Sequence, residues 1–215
     1  MTLSTELQNY RDQFRTKAPA DVQGVMGKAT QDLADSGIVD RALKVGDRIP
    51  QVTLPDATGQ SFSIQAALAQ GPIVLAFYRG GWCPYCNLEL KALQAVLPDI
   101  EAAGATLIAI APETPDNSLS TREKNALAFA VLSDVGNKVS REFGLVFQLP
   151  VELRPIYKGF GIDIEAYNGD QTFELPVPAT YVVAPSGEIV YAFADADYTK
   201  RAEPADVVAT LKQIA

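Results

Sequence analysis

The chain has 215 residues, 47% of them hydrophobic, which is enough for one domain with a sizeable buried core. Lys and Arg number 18 against 26 Asp and Glu, a net charge of -8 without long single-sign runs, so nucleic acid and membranes are not expected partners. Histidine is absent, which excludes an imidazole base or ligand and disfavours a mononuclear zinc site; no metal or cofactor is expected.

Residues 1–10 lack the basic and apolar regions of a secretion signal, and the apolar runs at 73–78 and 107–111 are too short to span a bilayer, so a cytoplasmic location is expected. Residues 3 to about 36 read as helical, with Pro19 opening a second segment and Gly37 closing it. Residues 1–42 are assigned to an N-terminal helical extension and 43–215 to the main domain. Strands are predicted over 52–54, 62–64, 73–78, 106–111 and 129–132, with helices over 83–103, 118–125 and 137–143. Alternation of strand and helix predicts crossover units, a mostly parallel central sheet and helices on both faces. Strands 180–184 and 188–193, joined at Pro185–Gly187, read as an antiparallel hairpin at the sheet edge, followed by a closing helix over 204–214. Between the 137–143 helix and this hairpin, 149–178 is rich in Pro and Gly and supports only a short helix over 153–160.

Both cysteines of the chain lie in the run 79–86 (RGGWCPYC), after an apolar strand and before a helix. With Cys83 as N-cap, Pro84 takes the first helical position, where its missing N–H costs nothing, and Cys86 the third. Both sulfurs then face unpaired amides at the positive helix end. An ordinary thiol with a pKa of about 8.5 is only roughly 3% thiolate near neutral pH, and a helix N-terminus lowers that pKa. Residues three apart on a helix differ by about 4.5 Å in height and about 60° in azimuth, within disulfide reach. The pair is therefore expected to cycle between dithiol and one intramolecular disulfide. As a crosslink it closes too short a loop to stabilise much, and as a metal site it lacks further soft ligands.

The segments 46–50 (GDRIP), 77–86 (FYRGGWCPYC), 131–134 (VLSD), 177–183 (VPATYVV) and 185–188 (PSGE) resemble the peroxiredoxin-like alkyl hydroperoxide reductase and thiol-specific antioxidant (AhpC/TSA) family. The likeness covers about 43–215 and implies a thioredoxin-like α/β fold, a central mixed sheet flanked by helices, and activity on hydroperoxides. In that family the reactive cysteine ends Pro-x-x-x-Thr-x-x-Cys; placed on Cys86, the pattern puts Arg79 at the proline and Cys83 at the threonine. The slot of the family's peroxide-activating arginine falls on Pro178, which instead resembles the cis-proline of thioredoxins and is expected to be cis and near the sulfurs. The Cys-Pro-Tyr-Cys letters are those of glutaredoxins.

The resemblance implies a thiol-dependent peroxidase in which Cys86 attacks the O–O bond, Cys83 resolves the sulfenic acid, and thioredoxin or another dithiol restores the pair. Helix geometry keeps a second reading open, a protein disulfide reductase with Cys83, nearest the opening, as nucleophile. A third is a non-catalytic module holding an iron–sulfur cluster with glutathione or a second chain. A homodimer is compatible with each. Arg79 reads as a partial replacement for the missing arginine or as a solvent-facing loop residue. Trp82 is expected to shield the sulfurs and form a docking surface. Glu89 shares the face of Cys86 and reads first as a solvated helix charge, second as a buried proton-transfer carboxylate. Pro98 is expected to break the helix, and Asp195, Asp197 and Tyr198 to form a surface turn.

Overall fold

A computed structural model describes residues 2–214. The centre is a five-stranded mixed sheet in the order β5-β4-β3-β8-β9. It comprises β3 (Ile73–Phe77), β4 (Thr106–Ala111) and β5 (Ala130–Ser133) in parallel, with β8 (Ala179–Val183) antiparallel to β3 and β9 (Ile189–Ala194) antiparallel to β8. Two antiparallel strand pairs complete the strands, the hairpin of β1 (Thr53–Pro55) with β2 (Ser61–Ser63) and the long-range pair of β6 (Val146–Gln148) with β7 (Glu174–Pro176).

The continuous apolar run of β3 follows from burial on both faces. Val74, Ala76 and the following Tyr78 point to one core, with Leu107, Ala109 and the helices α5 (Pro84–Ala95) and α11 (Pro204–Ile214). Ile73, Leu75 and Phe77 point to the other, with Ile108, Ile110 and Phe143 beside α8 (Lys138–Glu142). Each fully buried aliphatic side chain is worth roughly 1.5–3 kcal/mol, so this strand fixes the sheet and with it the place where α5 starts. The expected helix over 83–103 is two, α5 and α6 (Leu97–Ala102), broken at Val96 with Pro98 in the first turn of α6.

The N-terminal helices α1 (Leu3–Lys17) and α2 (Ala20–Asp35) lie against this body. Leu3 and Leu7 of α1 are buried in the α5 core, and α2 packs on α9 (Leu153–Gly159). The short elements α3 (Ile38–Arg41), α4 (Ile64–Leu68), α7 (Pro115–Lys124) and α10 (Ile164–Asn168) fill the connections. The segment over 149–178 holds more order than its Pro and Gly suggest, because α10 and β7 are paid for by a satellite core of Leu149, Leu153, Tyr157, Ile164 and Leu175. No helix among the described residues is long and apolar enough to cross a membrane.

Candidate active site

The loop after β3 is held from several sides. The Tyr78 amide donates to the Ile110 carbonyl at 3.0 Å, and the Gly81 amide donates to Glu113 Oε1 at 2.9 Å. The Asn87 amide group donates to the carbonyls of Gly81, at 2.8 Å, and Cys83, at 3.0 Å. The paired glycines answer to close packing: a Cβ on Gly81 would lie 1.9 Å from Thr121 Oγ1, and one on Gly80 2.3 Å from Trp82 Nε1. Pro84 opens α5 with Cys83 as N-cap, so both sulfurs occupy the first turn.

Cys83 and Cys86 are free thiols, buried to 1% and 0% exposure. Burial pushes the Cys83 thiol up, but the hydrogen bond from the Cys86 thiol and the charges of Arg79 and Arg201 outweigh it and bring it to about 6. Cys86 moves well above the ordinary range, because burial, the bond it donates and the neighbouring thiolate all oppose a second charge. The helix amides expected from sequence are minor: Cys83 makes no side-chain capping bond, and the Cys86 amide contributes least.

Arg201, which no motif marks, donates from Nη2 to Cys86 Sγ at 3.2 Å and from Nε to Glu89 Oε2 at 2.5 Å. Thr180 Oγ1 donates to the other Glu89 oxygen at 3.2 Å. Glu89 is thus no solvated helix charge but is 1% exposed; burial raises it to about 7 against the pull of Arg201. It turns inward because the face of α5 carrying Cys86 and Leu90 packs on the sheet, where Arg201 meets it.

Arg79 likewise is not solvent-facing. Its guanidinium carbon lies 4.9 Å from the Trp82 ring centre, 5.5 Å from that of Tyr157 and 4.5 Å from that of Tyr198, and Nη2 donates to the Tyr157 hydroxyl. Among the described residues no carboxylate pairs with it. The expected surface turn at 195–198 therefore contributes a wall, Tyr198, to this cage, and Asp197 pairs with Arg11 at 3.4 Å.

A cavity of about 460 Å³ opens above Cys83, lined also by Arg79, Trp82, Tyr85, Tyr157 and, from the N-terminal helices, Tyr10, Phe14 and Met26. Cys86 does not line it. Pro178 borders an adjacent apolar cavity that shares Arg79, Tyr157 and Tyr198. Its peptide bond is trans, contrary to the cis expectation, since no described bond is cis. Val177 N–H is bonded to the Leu145 carbonyl at 2.8 Å and Ala179 is already in register with Phe77, so the chain runs straight from β7 into β8 without the reversal a cis bond serves. Trp82, Arg79 and Glu89 do gather around the cysteines. Missing from the sequence reading were Arg201, Tyr157 and Glu113, all distant along the chain and without a local pattern, while Tyr198 was read only as part of a surface turn. Among the described residues no cluster of three or more His, Cys, Asp or Glu side chains is placed to hold a metal ion.

The chain is similar to known proteins over much of its length. The chain is 30% identical over 129 residues to a chloroplastic peroxiredoxin Q of Triticum aestivum, covering 60% of this chain and 59% of that one. It is 29% identical over 103 residues to peroxiredoxin Bcp of Escherichia coli K12, covering 48% and 65% respectively. It thus spans less than two thirds of the length of either relative. Peroxidoxin BcpB of Mycobacterium tuberculosis superposes with a TM-score of 0.64 at 20% identity, over 80% of this chain and 99% of that one, a likeness of fold. Residues 45–192, which carry β1 to β8, the dithiol loop and most of β9, match the AhpC/TSA family, and the chain belongs to that family.

Proposed function

We propose that the protein is a cytoplasmic thiol-dependent peroxidase that reduces hydroperoxides through Cys83 and Cys86, with 43–215 as its redox domain and 1–42 as a helical extension over the site. The observation that carries this reading is a dithiol in the first turn of α5, one sulfur held as a thiolate by the hydrogen bond from the other and by two buried guanidinium groups, at the floor of a small-molecule cavity. A thiolate attacks the terminal peroxide oxygen, the O–O bond breaks, and the alcohol or water leaves with a proton. The resulting sulfenic acid is attacked by the second sulfur, which gives up its proton and expels water, leaving the disulfide. Two electrons from a thiol reductant, thioredoxin or another dithiol on the sequence reading, close the cycle.

Family register favours Cys86 as the sulfur oxidised first, and the Arg201 contact at 3.2 Å suits a thiolate there. The opening of the cavity onto Cys83, together with the lower pKa of that thiol, favours the reverse order. Arg79 and Trp82 are proposed to hold the peroxide side of the site, and Glu89 to hold Arg201. A cavity of about 460 Å³ over a buried sulfur favours hydroperoxides over protein disulfides as oxidant. Serine variants test the order. With Cys86 attacking first, Cys83→Ser yields a sulfenic acid that dimedone traps; with Cys83 first, Cys86→Ser does. Undiminished peroxide turnover in both single variants overturns the thiol mechanism.

A further inference from the structure

We propose that the reductant of the Cys83–Cys86 disulfide is a low-molecular-weight thiol that enters the cavity above Cys83, and that α1 and α2 exclude a protein dithiol from that sulfur. The inference rests on the dithiol cycle proposed above and narrows its partner. The excluding helices lie outside residues 45–192, so this closure is not a property of the matched family region.

The cover is anchored rather than loosely laid. Glu203 accepts the first-turn amides of α1, from Leu3 at 3.2 Å and Ser4 at 2.6 Å, satisfying donors a helix start leaves free. Leu3 and Leu7 are buried, and Tyr10 meets Tyr85 edge-on at 5.1 Å. Phe14 reaches across to Phe160 at 6.1 Å, and Arg11 pairs with Asp197. Beneath lies the cavity of about 460 Å³, within the size range of small-ligand sites, with Lys17 at its rim and Arg79 at its floor. These charges suit a thiol that carries carboxylates. A protein dithiol needs up to about 600 Å² of surface on each partner and in-line access to sulfur, whereas Cys83 is 1% exposed below two helices.

The chemistry follows the same geometry. The thiolate of the small thiol, its proton gone to solvent, attacks Cys83 Sγ and breaks the S–S bond. A mixed disulfide forms on Cys83 and Cys86 leaves as a thiolate facing Arg201. A second molecule of the thiol attacks its own sulfur in the mixed disulfide. The small-molecule disulfide departs, Cys83 returns as thiolate and Cys86 takes up a proton. Two thiols are oxidised and one protein disulfide is reduced.

The test uses the full chain oxidised with diamide instead of peroxide, so that it reads the reductive half independently of peroxidase activity. Reduction by glutathione and by thioredoxin is followed by thiol trapping at equal thiol concentration. Glutathione is expected to be faster by about tenfold or more, and Arg11→Ala with Glu203→Ala to raise the thioredoxin rate by about tenfold while the glutathione rate holds. Glu203→Gln, a milder loosening, is expected to shift the thioredoxin rate the same way and serves if the double variant does not fold. Faster reduction by thioredoxin in the unaltered chain, or a thioredoxin rate indifferent to loosening, overturns the proposal. Absence of peroxide turnover together with the expected reduction pattern overturns the peroxidase reading and leaves this one standing.

Discussion

The two cysteines occupy one helical turn but two electrostatic settings. Around Cys86 the cation is Arg201, paired with Glu89 at 2.5 Å and bonded to backbone carbonyls, a closed network with every charge answered. Around Cys83 the cation is Arg79, stacked among Trp82, Tyr157 and Tyr198 with no carboxylate partner among the described residues, at the floor of an open cavity. A guanidinium caged by aromatic faces keeps its field for whatever anion arrives, and here that anion is the Cys83 thiolate. At Cys86, burial and the bond it donates to the Cys83 thiolate outweigh the pull of Arg201, so Cys86 remains a proton donor. The difference between the settings divides the dithiol into one ionised and one protonated sulfur.

The largest expected effect lies on the Cys86 side. Arg201→Met leaves Glu89 buried without its partner and is expected to cost about 3–5 kcal/mol of stability in urea unfolding of the reduced protein above neutral pH. Adding Glu89→Leu is expected to recover much of that loss, because an apolar pair has no charge to desolvate. A double variant no more stable than Arg201→Met would mean that the pair is not an isolated energetic unit.

On the Cys83 side the expected change is in reactivity more than stability. Iodoacetamide alkylation of Cys83 should rise with pH to a plateau, with its midpoint near the value of about 6 that the Cys86 hydrogen bond and the arginines impose. Arg79→Met is expected to move that midpoint up by about 1 unit, costing roughly tenfold in rate at the acidic end and nothing on the plateau. Since the folded value is depressed, the stability it confers is present at alkaline pH and lost as pH falls through about 6. An unchanged midpoint in Arg79→Met would assign the depression to Arg201 and the Cys86 thiol instead.

The same contrast explains what could be read from sequence. The cysteines, Pro84 and the β3 run are local patterns: period, capping and spacing placed them within a residue or two of their observed positions. Glu89 was legible as sharing the Cys86 face, but its burial depends on Arg201, which is 112 residues away and in no motif. Arg79 had two readings because the rings that bury it come from α9 and from the segment after β9. Pro178 was misread through likeness to another family; its trans bond follows from strand register, a long-range property of the sheet.

The smallest effect concerns Glu113, the second buried carboxyl of the site. Unlike Glu89 it has no cationic partner among the described residues. Burial raises it to about 7 although the Gly81 amide, the Thr121 hydroxyl and the Tyr78 hydroxyl all donate to it. A raised folded value means that its stabilising contribution is complete below the unfolded value of about 4.5 and is lost as pH rises through about 7. Glu113→Gln keeps the shape and an acceptor for Gly81, while the hydroxyls can rotate to accept from its amide nitrogen. The variant is therefore expected to match the unaltered protein at acidic pH and to gain on it up to neutrality by on the order of 1–2 kcal/mol, levelling off above. Cys83 titrates with the opposite sign in the same range but is present in both proteins, so it drops out of the difference. Paired thermal melts across that range decide the matter: a stability difference that stays flat with pH would mean that Glu113 is already ionised throughout and serves only to pin the Gly81 loop.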